Sequence, residues 1–203
     1  MHIEIIVEEP SAEEALRHLL PKLVSDKPRP KIINMGSKYK LLKVLPARLR
    51  AYQQRIKKGA QLRIVVLVDR DNDDCINLKH TLERMAREAG LHTKTAPDAQ
   101  GTFTVLNRIV VEELESWFIG DPQALRKAFP SLPKINPNTK PFQIPDNGGD
   151  WEALHRFLKK HGLYRNGFRK IEAAQKIAPH MDVNNNRSAS FRQFVSGMKA
   201  VFS

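Results

Sequence analysis

Residues 62–71 read Leu-Arg-Ile-Val-Val-Leu-Val-Asp-Arg-Asp, and the fold turns on them. From Leu62 to Val68 the run is aliphatic at all but one position. Such a strand is buried on both faces, as at the centre of a parallel sheet. Working outward, residues 3–7 (Ile-Glu-Ile-Ile-Val) are a second strand, β-branched and bounded by polar residues. Residues 31–34 and 103–111 supply two more. Between the first two strands, Ser11 and Glu14 fit a capping box, and Ala15, Leu16, Leu19, Leu20 and Leu23 form an apolar helical face that Pro28 and Pro30 terminate. Leu41, Leu42, Leu45, Leu49, Tyr52 and Ile56 space a second helix, which Pro46 is expected to kink or divide. Asp73 or Asp74 caps a third, carrying Leu78, Leu82, Met85 and Ala89 and stopping at Gly90. A fourth runs from Glu112 to Ile119. The order βαβαβαβα predicts an α/β domain over residues 1–121: a mostly parallel sheet with right-handed crossovers and helices on both faces.

From Pro122 the pattern changes. A short helix over 122–129 leads into a loop at 130–149 rich in Pro, Asn and Gly, and helical stretches follow near 151–161, 167–178 and 188–200. Residues 122–203 are therefore expected as a helical extension packed on the sheet.

Charge narrows the partners. Lys and Arg number 34 against 22 Asp and Glu, a net +12, which favours nucleic acid, DNA or RNA, or another anionic surface. Twelve of the cations lie between Lys27 and Arg63, where no Asp or Glu occurs. Solvated helix faces normally mix signs, so Lys38, Lys40, Lys43, Arg48, Arg50, Arg55, Lys57 and Lys58 are candidate phosphate contacts. The acids gather in three islands, at 4–14, 69–74 and 112–115. A single Cys (Cys75) excludes a disulfide framework and a Cys-rich zinc site. No apolar run reaches the roughly 20 residues of a membrane span. The opening Met-His-Ile-Glu lacks the basic start of a signal peptide. A cytoplasmic protein without a membrane partner is expected.

Sites in open α/β sheets form beyond the carboxyl ends of the strands. Glu8 follows the first strand, Asp69 ends the central one, and Asp71 lies two residues on. If those strands are neighbours, the three carboxylates converge and need a positive charge among them. Hard oxygen donors suit Mg²⁺ or Mn²⁺ rather than zinc. Asp after a strand also serves as a turn residue or helix cap, the reading given to Asp73 and Asp74; the capping box accounts for Glu14. Glu13 is a candidate for a second metal. Glu112, Glu113 and Glu115 at a helix start suit its dipole, and Glu115 is placed to reach the site as a further ligand or general base. Trp117 and Cys75 read as core, His180 as packing, and Lys170 as a surface cation or one that neutralises a phosphate near the metal.

Val7-Glu8-Glu9-Pro10-Ser11 and Val68-Asp69-Arg70-Asp71 resemble the Toprim domain, in which a Glu ends one strand and an Asp-x-Asp ends a later one; Glu9 stands where that pattern usually has Gly. Residues 7–16, 41–50, 65–74, 106–118, 170–181 and 186–194 together resemble the Toprim-related family DUF4276, whose Glu-x-Trp turn corresponds to Glu115 and Trp117. The resemblance implies a Toprim-like, Rossmann-like fold. It also implies a nuclease-like role with catalytic Glu8, Asp69, Asp71 and Glu115, the first three holding Mg²⁺ or Mn²⁺. Members are considered with mobile-element and phage-defence genes. A topoisomerase has no room here for a strand-passage domain, and one Cys cannot build the zinc modules of bacterial primases. The chain has no Walker A pattern, so nucleotide-driven switching would come from a separate ATPase or sensor subunit. The alternative is a non-catalytic nucleic-acid-binding subunit of such a partner.

Overall fold

In the computed structural model, residues 1–24, 29–147 and 149–202 are described; Lys27 and Pro28, read above as a cation and a chain break, lie outside them. Among the described residues four strands form, β1 (His2–Val7), β2 (Lys31–Asn34), β3 (Leu62–Asp69) and β4 (Val105–Val110). They build one sheet in the order β2-β1-β3-β4, and every pairing is parallel. The aliphatic strand β3 is central, as its composition requires. Register aligns Val7 with both Asn34 and Leu67, and Asp69 with Val110, so the carboxyl ends of all four strands share one edge.

Alternate residues of a strand face opposite ways, and two apolar layers result. Ile6, Ile64, Val66 and Val68 pack under α2 (Lys38–Lys57) and α3 (Cys75–Glu88), against Leu41, Leu45, Leu49, Leu78 and Leu82. Ile5, Val7, Val65 and Leu67 join the opposite layer, with α1 (Pro10–Leu23) and the helices that follow β4. Those are α4 (Glu115–Ile119), α5 (Pro122–Ala128), α6 (Asp150–Lys160), α7 (Lys170–Ile177), a 3₁₀ turn at Ala178–His180, and α8 (Ala189–Phe202). The result is a Rossmann-like α/β fold. α8 lies so close on β4 that a Cβ on Gly197 would come within 2.8 Å of Leu106 Cδ2 and Arg108 Nε. The start of α8 is held by Asp146, which accepts from the Ala189 N–H at 2.6 Å and from the hydroxyls of Ser188 and Ser190, each at 2.8 Å. Trp117 is fully buried beneath it, donating to Ser190 Oγ at 3.0 Å. Among the described residues no helix is long and apolar enough to cross a membrane.

Three local expectations are corrected. The Ser11–Glu14 capping box does not form. Pro10 at the first helical position starts α1 earlier, its fixed φ being ready for a helix. The Ser11 hydroxyl donates to Glu9, and Glu14 pairs with His18 at 3.2 Å. α2 runs unbroken through Pro46, so of the two outcomes expected there, division is the one corrected. Lastly, Glu112 and Glu113 precede α4 instead of opening it. Glu112 sits at φ 65, its carbonyl accepting the Asp71 N–H at 3.0 Å and its carboxylate pairing with Arg70. That tie to the β3 turn holds the chain out of helix until Glu115.

Candidate carboxylate site at the strand ends

The sheet order makes β1 and β3 neighbours, and the acids at their ends meet. Glu8 is buried and its Oε1 accepts the Asp69 N–H at 2.5 Å. Burial, reinforced by Asp71 and Glu9 against the bond from Asp69 and the charge of Lys38, pushes the Glu8 carboxyl up to about 7. Asp69 is buried too. Burial, then the fields of Glu8, Glu9, Glu115 and Asp71, raises its carboxyl well above the usual range. Like charges taken together out of water give this response.

Asp71 is different. It occupies the left-handed region at φ 48, which Asp tolerates better than most residues, and its side chain is 45% exposed. Lys38, on the first turn of α2, reaches it at 2.6 Å, with Asp73 at 2.9 Å and the Arg70 carbonyl at 2.9 Å. Burial would lower the Lys38 ammonium, but its bonds to Asp71 and Asp73 outweigh that and hold it above its ordinary value. Asp74 caps α3 by accepting from the Asn77 N–H at 2.8 Å, which leaves Asp73 to Lys38.

The third element is β4 and the turn after it. Glu115, the first residue of α4, is fully buried, and among the described residues neither of its carboxylate oxygens has a hydrogen-bond partner. Burial drives its carboxyl up to about 8, against the opposing charge of Lys170, whose Nζ stands 3.9 Å away. The same Lys170 bonds Glu113 at 2.9 Å. Burial would lower this ammonium as well, but Glu115 and Glu113 hold it above its ordinary value. The edge thus gathers carboxylates from three strand ends between two lysines brought from α2 and α7.

Among the described residues no three His, Cys, Asp or Glu side chains stand ready to hold a metal ion. One Glu8 oxygen is engaged by the Asp69 N–H, Asp71 is turned to Lys38, and Glu115 faces Lys170. In kind, the donors fit a hard divalent cation: carboxylate oxygens, two of them orphaned, in a buried cluster whose mutual repulsion a cation would relieve. Glu13 is not among them. It bonds Arg17 at 2.5 Å and Asn34 at 3.2 Å.

The acid-free basic stretch resolves into two populations. Lys38 is taken up by the acid edge. Arg55 pairs with buried Glu4 at 3.2 Å, and Arg48 donates to the Tyr52 hydroxyl at 3.1 Å, which in turn donates to Glu4. Acids remote in sequence therefore serve part of a segment that carries none. Lys40, Lys43, Arg50, Lys57 and Lys58 point outward, exposed. With about 3.6 residues per turn, Lys40, Lys43, Arg50 and Lys57 line the side of α2 opposite buried Leu41, Leu45, Leu49 and Tyr52. This face begins beside Lys38, at the carboxylate edge.

Local reading of the sequence named Lys38 and Lys170 as cations for phosphate but gave neither its carboxylate partners. For Lys38 there was a signal, because a residue opening the helix after β2 must lie at the carboxyl edge, where it meets Asp71 and Asp73. For Lys170 there was none, since only the packing of α7 brings it to Glu113.

The family model described as Domain of unknown function (DUF4276) matches residues 7–199, and the chain belongs to that family. No curated protein and no solved structure matches it.

Proposed function

We propose that this DUF4276 chain is a Toprim-like phosphodiesterase of the nuclease type, dependent on Mg²⁺ or Mn²⁺ and acting on nucleic acid. One observation carries the reading: carboxylates from three strand ends are buried together, with raised proton affinity and with both Glu115 carboxylate oxygens lacking a hydrogen-bond partner among the described residues. Carboxyl groups buried together with so few partners oppose folding, and such perturbed groups cluster where chemistry needs them.

Glu8, Asp69 and Asp71 would hold the cation, which when bound would polarise a phosphoryl oxygen and offset its charge. Lys38, already at Asp71, is placed to move from carboxylate to phosphate. Lys170 adds a second fixed positive charge. Glu115, with its carboxyl at about 8, is suited to proton transfer near neutral pH. Lys40, Lys43, Arg50 and Lys57 would track the phosphate backbone toward the edge. A cytoplasmic effector of phage defence or of a mobile element fits this chemistry.

The Lys38–Asp71 pair at 2.6 Å favours one second reading. With a lysine seated on a ligand oxygen, the chain would be a nucleic-acid-binding subunit, either non-catalytic or silent until an ATPase or sensor partner shifts that lysine.

Asp71→Asn decides between them. The exposed amide keeps shape and removes charge, so binding and fold should persist. Cleavage of single-stranded or duplex DNA or RNA should fall at least about 100-fold, roughly 3 kcal/mol of transition-state stabilisation. A wild type whose melting and activity ignore Mg²⁺ and Mn²⁺ ends the nuclease reading and leaves the binding subunit.

A further inference from the structure

Tyr39 stands 75% exposed on the first turn of α2, and Ile76 64% exposed on the first turn of α3. Single exposed apolar residues are ordinary, but the placement of these two is not random. The Lys38–Asp73 ion pair, 2.9 Å long, ties the two helix starts together beside the carboxylate edge. The Lys43 ammonium lies 5.8 Å from the centroid of the Tyr39 ring, close enough for attraction to its π face. At about 100° per residue, Tyr39 shares a side of α2 with Lys43, Arg50 and Lys57. An uncovered aromatic ring therefore heads a row of outward cations, at the end nearest the acids.

We propose that Tyr39 is a stacking platform for an unpaired base, so that the strand delivered to the carboxylate edge is single-stranded there. The proposal rests on the nucleic-acid reading above and adds the substrate class. A base inside a duplex already has both faces stacked and cannot use the ring, whereas an unpaired base can, whatever its identity. Lys43 sits where it would hold the adjoining phosphate.

The test is fluorescence anisotropy in chelator, which stops cleavage, with a labelled single strand and a blunt duplex of the same sequence. Tyr39→Ala should weaken single-strand binding roughly 5- to 100-fold and duplex binding less than about twofold. Tyr39→Leu should fail like Ala although it is apolar and large, and Tyr39→Phe should bind like wild type. Tyr39→Trp should retain affinity, with its emission quenched by the single strand. Since the ring is exposed, all four should melt with the wild type. Should Tyr39→Ala not, the contrast between Tyr39→Leu and Tyr39→Phe decides the matter. Equal losses on single strand and duplex, or no loss at all, overturn the platform. A wild type that binds neither probe overturns the nucleic-acid reading as well; one that binds normally while Tyr39→Ala is unaffected overturns only the platform.

Discussion

Glu83→Gln tests how β4, and with it the turn that carries Glu113 and Glu115, is held in place. Glu83 lies buried on α3, and all its partners are donors. Oε1 accepts from Lys79 Nζ at 2.7 Å and Asn107 Nδ2 at 3.0 Å, and Oε2 accepts from the Thr95 hydroxyl. Lys79 also donates to the Asn107 carbonyl on β4 at 2.7 Å. Burial by itself would raise the Glu83 carboxyl. The bonds from Lys79, Thr93, Thr95 and Asn107 outweigh it and hold the group at about 2, against an ordinary 4.5. A depressed carboxyl stabilises the fold in full above the unfolded value and loses that contribution as pH falls through the folded one. The difference corresponds to about 3 kcal/mol, present at pH 7 and lost progressively from about 4.5 to about 2. Glutamine keeps the shape but turns an N–H₂ toward a donor and removes the charge facing Lys79. The variant should therefore be about 3 kcal/mol less stable in urea at pH 7, melting roughly 6–12 °C lower for a chain of this size. The gap should close as the acid range is entered, because protonation disarms only the wild type. A gap under about 1 kcal/mol at pH 7, or one that stays constant down to pH 3, refutes the reasoning.

Glu115→Gln in chelator at pH 7 should be about 1–2 kcal/mol more stable than wild type, since a carboxyl held at about 8 must take up a proton on folding and the amide need not, and with Mg²⁺ restored it should cleave nothing; a lower stability would show that the carboxyl group stabilises the fold. Reversing Lys40, Lys43, Arg50 and Lys57 to Glu should weaken binding across all sequences and flatten the dependence of log affinity on log salt by about 3–4. An unchanged slope makes that side of α2 a solvated face only. Gly197→Ala should lower stability by about 1–3 kcal/mol, because its Cβ would meet Leu106 and Arg108 at 2.8 Å; an unshifted melt would mean that α8 does not lie so close on β4.

Periodicity is a local property, and what it governs was legible in the chain. The run Leu62–Val68 demanded burial on both faces, and β3 is central. Strands alternating with helices demanded parallel pairing, which by itself puts Glu8 and Asp69 at one edge, where they touch. Trp117 reads as core and is core. Charge pairing is a property of space, and the basic stretch shows the difference. It holds no acid in sequence, yet Lys38 is bound to Asp71 and Asp73, and Arg55 to Glu4. Where short-range rules competed with a distant partner, the distant partner won: the helix expected at Glu112 waits until Glu115 because the turn is tied to Arg70 and Asp71. By itself the sequence determined a parallel sheet, its central strand and the edge on which the acids lie, since hydrophobic period and chain direction are written along the backbone; that β1 lies beside β3 came from the structure. Only the tertiary structure decided which lysines neutralise those acids, which cations point outward and that the Glu115 carboxylate oxygens lack a hydrogen-bond partner among the described residues, because ion pairing and desolvation depend on distances that close when helices remote in sequence pack onto the strands.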